Sequence, residues 1–144
     1  MNSKKELYVY LFILIVLGLF IFGDSREMTE RTEVAKIISA EACSEGKLGM
    51  WLVGNTIANR VKLYNKTPYQ IVTQKNQYFG YTNPNKDKIY KDCKNIANMI
   101  AGKIYSNTLE DFTNNAIYYL RPDEKVRKWH KKRTITFKNH TFYK

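Results

Sequence analysis

The sequence predicts an α+β domain, mainly helical with short strands and a C-terminal hairpin, preceded by one transmembrane helix. Three observations carry this expectation. Apolar residues recur at helical spacing over three stretches in the first three quarters of the chain. Short runs of aromatic and β-branched residues fall only towards its end. Leu7 to Gly23, LYVYLFILIVLGLFIFG, runs 17 residues without a charge. Helices and strands do not alternate as βαβ units, which argues against a parallel sheet.

The uncharged run stands at the lower limit for spanning a bilayer, about 17 to 25 residues. Its end reads IFGDS, a poor cleavage site, so an uncleaved anchor over residues 1–25 is expected, with a removed signal segment as the alternative. Lys4 and Lys5 before the run and Arg26, Arg31 and Lys36 after it leave the orientation open. The folded domain is then residues 26–144. Its polar entry, Asp24 to Glu33, leads into a helix beginning near Thr29 or Thr32 and running to about Ala42. Val34, Ile37, Ile38, Glu41 and Ala42 share one face of it.

A second helix is predicted over Lys47 to Tyr64, striped by Trp51, Gly54, Ile57, Ala58 and Val61. Thr67-Pro68 reads as an N-cap followed by proline in the first helical position, opening a short helix to Thr73. Asn76 to Asn83, NQYFGYTN, reads as a strand or extended loop. Lys88 to Tyr105 makes a third long helix. Ala116 to Leu120 reads as extended, and Thr134–Phe137 pairs with His140–Tyr143 across Lys138-Asn139.

Net charge is +11, from 24 Lys and Arg against 13 Asp and Glu. Charges in the first 25 residues cancel, so the excess lies on the folded domain, which suits an anionic partner such as nucleic acid, lipid headgroups or cell wall. No recognised nucleic-acid motif is present, so no nucleic-acid partner is expected. No cofactor or metal is expected either: two Cys and two His stand at unrelated spacings, and there is no glycine-rich phosphate loop. Cys43 and Cys93 could form a disulfide or be two small core residues.

Glu41 is the residue that asks for a function. A carboxylate on an apolar helix face loses hydration, which favours its protonated form. Such a group can protonate a glycosidic oxygen. From the pattern alone, its head could equally reach water or Lys47. Glycosidases normally use a second carboxylate, and Glu45, Asp87, Asp92, Glu110 and Asp111 are candidates of which none stands out. One acid suffices where the sugar supplies its own nucleophile, as N-acetylmuramic acid can through its 6-hydroxyl. The 11 tyrosines and the amides Asn59 and Gln77 would suit a glycan groove, or simply a core. Two other readings compete: a peptidase or amidase with Cys43 as nucleophile and His130 or His140 as base, and a non-catalytic basic binder of wall polymer or nucleic acid.

The segment Ser39 to Val61 resembles the opening of the SleB-type cell wall hydrolases, the spore cortex-lytic enzyme family. Glu41-Ala42, Glu45, Gly49 and Asn59-Arg60-Val61 match its E-A-x-x-E, glycine and N-R-V landmarks. Gln74 with Gln77-Tyr78-Phe79, then Ala116 to Tyr119 with Pro122, Trp129, and Asn139 to Tyr143 follow in the family's order. The resemblance covers about residues 33 to 143. It implies a lysozyme-like fold, peptidoglycan as substrate, and Glu41 as catalytic acid. It further implies substrate contacts from Glu45, Asn59, Gln77, Tyr78, Phe79, Tyr118, Tyr119, His140 and Tyr143. Lytic transglycosylation between N-acetylmuramic acid and N-acetylglucosamine is the expected reaction, with muramidase-type hydrolysis as the alternative. Peptidoglycan lies outside the membrane, so the domain is expected on the periplasmic or extracellular side of the cell membrane, held by a single pass through residues 7–23. The chain departs from the family pattern at Ala40, Cys43 and Ser44.

Overall fold

The computed structural model describes residues 3–144, with side chains described at 7–18 and 25–144. Its contacts divide the chain into residues 1–30 and residues 31–144. Five helices come first: α1 (Ser3–Ala42), α2 (Gly46–Tyr64), α3 (Pro68–Val72), α4 (Phe79–Thr82) and α5 (Lys86–Tyr105). A 3₁₀ turn, Cys43–Glu45, joins α1 to α2. Three strands follow, β1 (Tyr118–Leu120), β2 (Arg133–Phe137) and β3 (His140–Tyr143), in one antiparallel sheet of order β1-β3-β2.

The expected transmembrane helix is corrected. No helix among the described residues is long and apolar enough to cross a membrane. An uncharged run of 17 residues reaches about 26 Å as a helix at 1.5 Å per residue, against roughly 30 Å of hydrocarbon. Side chains 19–23 of the expected span lie outside the described set. Membrane association through residues 7–23 is therefore unsupported.

A second correction concerns where the first helix starts. The polar entry does not break α1, which is one helix of 40 residues. Arg26 Nε donates to Glu30 Oε1 at 3.0 Å, an i,i+4 pair. Thr29 turns its hydroxyl back onto the Ser25 carbonyl at 3.0 Å instead of capping a new helix.

Within residues 31–144 the core forms as the periodicity requires. Val34, Ile37, Ile38 and Ala42 of α1 are fully buried and cluster with Met50, Val53 and Ile57 of α2 and with Ala97, Ile100 and Ile104 of α5. Each large aliphatic side chain so buried contributes about 1.5–3 kcal/mol. A smaller cluster, Leu52, Ala116 and Phe142, seats the sheet, with Ile135 and Phe137 packed against it. α3 begins with a full capping box: Gln70 N donates to Thr67 Oγ1 at 3.1 Å, and Thr67 N donates to Gln70 Oε1 at 3.0 Å.

The disulfide left open by the sequence is formed, Cys43 to Cys93, with Cα atoms 6.0 Å apart. It fastens the 3₁₀ turn to α5. Both sulfurs are occupied, which removes Cys43 as a nucleophile.

Asn76 to Asn83 is also corrected. It is neither strand nor loop: a turn with Asn76 at φ 59° leads into α4, with Tyr78 in the N-cap position. The reason is tertiary, since Gly80 is drawn onto the end of α1.

Candidate active site

Glu41 stands in the last turn of α1 and is 7% exposed. Gly80 N donates to its Oε1 at 2.5 Å. Its Oε2 lies 3.6 Å from Nη2 of Arg121, whose guanidinium sits 5.2 Å from the centre of the Phe79 ring. Gly80 is required for this approach. A Cβ there would stand 2.7 Å from the Ile37 carbonyl and 3.0 Å from Ala40 Cβ. Ala40, where the family pattern has glycine, thus packs directly against Gly80.

Glu41 opens into a cleft of about 550 Å³. Gln77, Tyr78, Phe79, Tyr119, Arg121 and Glu124 share its lining. The Tyr78 and Tyr119 rings lie 6.2 Å apart. Burial, then the nearby Glu41 charge, push the Tyr119 hydroxyl well above the usual phenol range. Burial likewise raises Tyr78. Both therefore remain neutral proton donors at neutral pH.

A second cleft of about 720 Å³ adjoins the first. The two share Asn76, Gln77, Tyr78, Tyr119 and Glu124, which form a common wall between them. Arg60, from α2, underlies the second part. It donates through Nη2 to Gln77 Oε1 at 2.7 Å and Gln74 Oε1 at 3.0 Å, fixing the turn that precedes α4. Tyr118 and Trp129 also line this part.

The fold therefore brings Glu41, Gln77, Tyr78, Phe79 and Tyr119 to the first cleft, and Gln77, Tyr78, Tyr118 and Tyr119 to the second. Glu45, Asn59, His140 and Tyr143 line neither cleft. Glu45 and His140 are buried facing one another, Oε1 to Nδ1 2.8 Å, but out of line for a hydrogen bond. Lys138 Nζ donates to the Glu45 carbonyl at 2.8 Å, so the hairpin turn is tied to the 3₁₀ turn. Gly49 makes room for this pair: a Cβ there would stand 2.4 Å from Glu45 Cβ.

Asn59 is a clamp. Its Nδ2 donates to the Ala116 carbonyl at 3.0 Å, with Thr113 Oγ1 at 3.3 Å and Asp111 Oδ2 at 3.4 Å. Asn55, one turn earlier, holds the same loop through the Glu110 carbonyl at 2.8 Å and the Phe112 N–H at 3.0 Å. Tyr143 pairs with Tyr118 across the β1–β3 ladder and stands 5.2 Å from the His130 ring.

Sequence reasoning missed Gly80, Arg121 and Glu124. Arg121 follows β1 directly and could have been read as a cation beside a strand end. Glu124 carried no signal, and it is the other carboxylate lining the Glu41 cleft. Asp87, one of the earlier candidates, instead pairs with Lys36 at 2.8 Å. Among the described residues no group of three or more Cys, His, Asp or Glu is placed to hold a metal ion.

Residues 44–143 match the family model described as Cell Wall Hydrolase. Among solved structures, the chain is similar to the catalytic domain of the Bacillus cereus SleB protein, at 22% identity and a TM-score of 0.64, over 81% of this chain and 91% of that one. It is also similar to the catalytic domain of the germination-specific lytic transglycosylase SleB from Bacillus anthracis, at 23% identity and a TM-score of 0.63, over 80% of this chain and 93% of that one. These likenesses bear on the fold. No curated protein matches by sequence.

Proposed function

We propose a reaction for this chain, which belongs to the SleB-type cell wall hydrolase family: it cleaves the glycan strands of peptidoglycan beside N-acetylmuramic acid, with Glu41 as general acid and then general base. The observation that carries this reading is the position of Glu41. Its carboxyl group is withdrawn from solvent, held by a backbone N–H, and open to an aromatic groove.

In the transglycosylase form, the Glu41 carboxyl gives its proton to the glycosidic oxygen as the C1–O bond breaks. The muramyl 6-hydroxyl attacks C1 from within the same sugar, closing a 1,6-anhydro ring. Its proton passes to the Glu41 carboxylate, which ends the cycle protonated. Tyr119, a neutral phenol beside Glu41, would steady that carboxylate in its charged phase. Arg121 would do so from the other oxygen.

Glu124 favours a second reading. A carboxylate in the same cleft could activate water, giving hydrolysis and a reducing end. Mass spectrometry of the products decides between the two: anhydro ends mean transglycosylation, reducing ends mean hydrolysis. Glu41→Gln should lower glycan release by at least about 100-fold, the usual worth of general acid catalysis, with an unchanged melting temperature. Normal digestion by that variant ends the assignment. The substrate lies outside the cytoplasmic membrane, and the Cys43–Cys93 disulfide supports action in an oxidising compartment.

A further inference from the structure

Arg60 is a buried cation without a counter-charge. It is 5% exposed, and among the described residues no carboxylate forms an ion pair with it. Its Nη atoms donate only to neutral acceptors, Gln74, Gln77 and the Tyr78 hydroxyl, and its Nε has no partner. The rings of Tyr64, Tyr78 and Tyr118 face its guanidinium at 5.8, 5.5 and 5.9 Å. A guanidinium removed from water normally acquires an anion. Among the described residues this one does not, and its uncompensated charge lies in the wall of the second cleft.

The rim of that cleft has the same sign. Lys66 and Arg127 line it, both exposed, against the single carboxylate of Glu124. Glu124 is itself engaged, accepting from Arg121 N at 2.7 Å. Burial, and then the adjacent Arg127 charge, hold the His130 imidazole below its ordinary value, so it adds no charge at neutral pH. A site with three cations and one acid is overbuilt for a neutral sugar. Because the cleft shares a wall with the Glu41 cleft, what it binds must be attached close to the bond being cut.

The geometry points to the Arg60 cleft as a subsite for the peptide stem of a muramyl residue, whose free carboxylates meet the exposed Lys66 and Arg127 over the buried Arg60 charge while the glycan lies across Glu41. This rests on the reading that the chain cuts peptidoglycan. The substrate is then peptide-bearing strand rather than naked glycan.

The test compares the full chain with a Lys66→Glu, Arg127→Glu double variant. Each is given peptide-bearing glycan strands and the same strands stripped of peptide by an amidase. The wild type should cut peptide-bearing strands with a kcat/KM roughly tenfold higher, as paired charges at a rim can supply. In the double variant that ratio should fall towards one, with the melting temperature retained. A wild-type ratio of one or less overturns the inference: stripping frees the lactyl carboxylate that the peptide had held as an amide, so a ratio below one gives the anion to that group. A double variant that retains the wild-type ratio also overturns it. Failure of the wild type to cut either substrate overturns the proposed function instead.

Discussion

The backbone N–H of Gly80 donates to Oε1 of Glu41, so the last turn of α1 is joined through a carboxylate to the first turn of α4. The contact spans 39 residues of sequence. It aims the proposed acid, and it turns a stretch of extended-looking aromatic residues into a helix.

Gly80→Ala should therefore injure activity more than stability. The added methyl would stand 2.7 Å from the Ile37 carbonyl, a backbone atom that cannot rotate aside. α4 must shift. Displacements of about 1 Å near a reacting group can cost as much as 100-fold in rate, whereas overpacking typically costs about 1–3 kcal/mol. Dye release from labelled walls, read beside a thermal melt, checks this. An unchanged rate would mean that the Gly80 bond does not position Glu41.

Glu45→Gln separates a binding role from a folding role. Glu45 and His140 face each other in the interior, at 5% and 2% exposure. Disturbing buried polar groups that face one another typically costs about 1–3 kcal/mol, so the melting temperature should fall by about 5 °C or more. A raised KM with an unchanged melting temperature would instead restore the substrate contact that the family resemblance implies.

Replacing both cysteines by serine should weaken the fold without removing activity. The bridge closes a loop of 50 residues between the 3₁₀ turn and α5. For loops of this length, the chain-entropy estimate is about 4 kcal/mol. Urea unfolding should show the loss, while wall digestion at low temperature persists. Inactivity of a folded double variant would return a chemical role to the cysteines.

Asp111 predicts an acid limb in stability. Burial alone would raise its pKa, but hydrogen bonds outweigh burial and hold it below the ordinary 3.8. They come from the Thr113 hydroxyl and N–H, the Asn115 N–H and the Asn59 amide. Because the folded value is depressed, the contribution is complete above the ordinary value and is lost as pH falls through the folded one. Stability should drop from about pH 5 downward. Asp111→Asn should flatten that drop and cost about 1 kcal/mol at neutral pH, a modest figure for an exposed group. Chemical unfolding across pH measures both, and an identical acid limb in the variant would refute the assignment.

What the sequence determined by itself was everything governed by local periodicity. α2 and α5 begin within two residues of their expected starts, because an amphipathic stripe is a property of the residues that form it. Thr67-Pro68 announced α3, and Lys138-Asn139 announced the hairpin. The burial of Glu41 was legible in the same way, from its place on the apolar face of α1.

The tertiary structure decided which polar residues meet. Asn59 and Gln77 look alike in sequence, yet one clamps the loop after α5 and the other lines the groove. Glu45 and Glu124 likewise exchanged places: the motif residue went to the interior, and the unremarked one entered the cleft. Hydrogen bonds and ion pairs act over a few ångströms between residues tens of positions apart, and no periodicity records them. The helical core sets where the chain's ends of α1, α4 and β1 converge, and that convergence selects the members of the site.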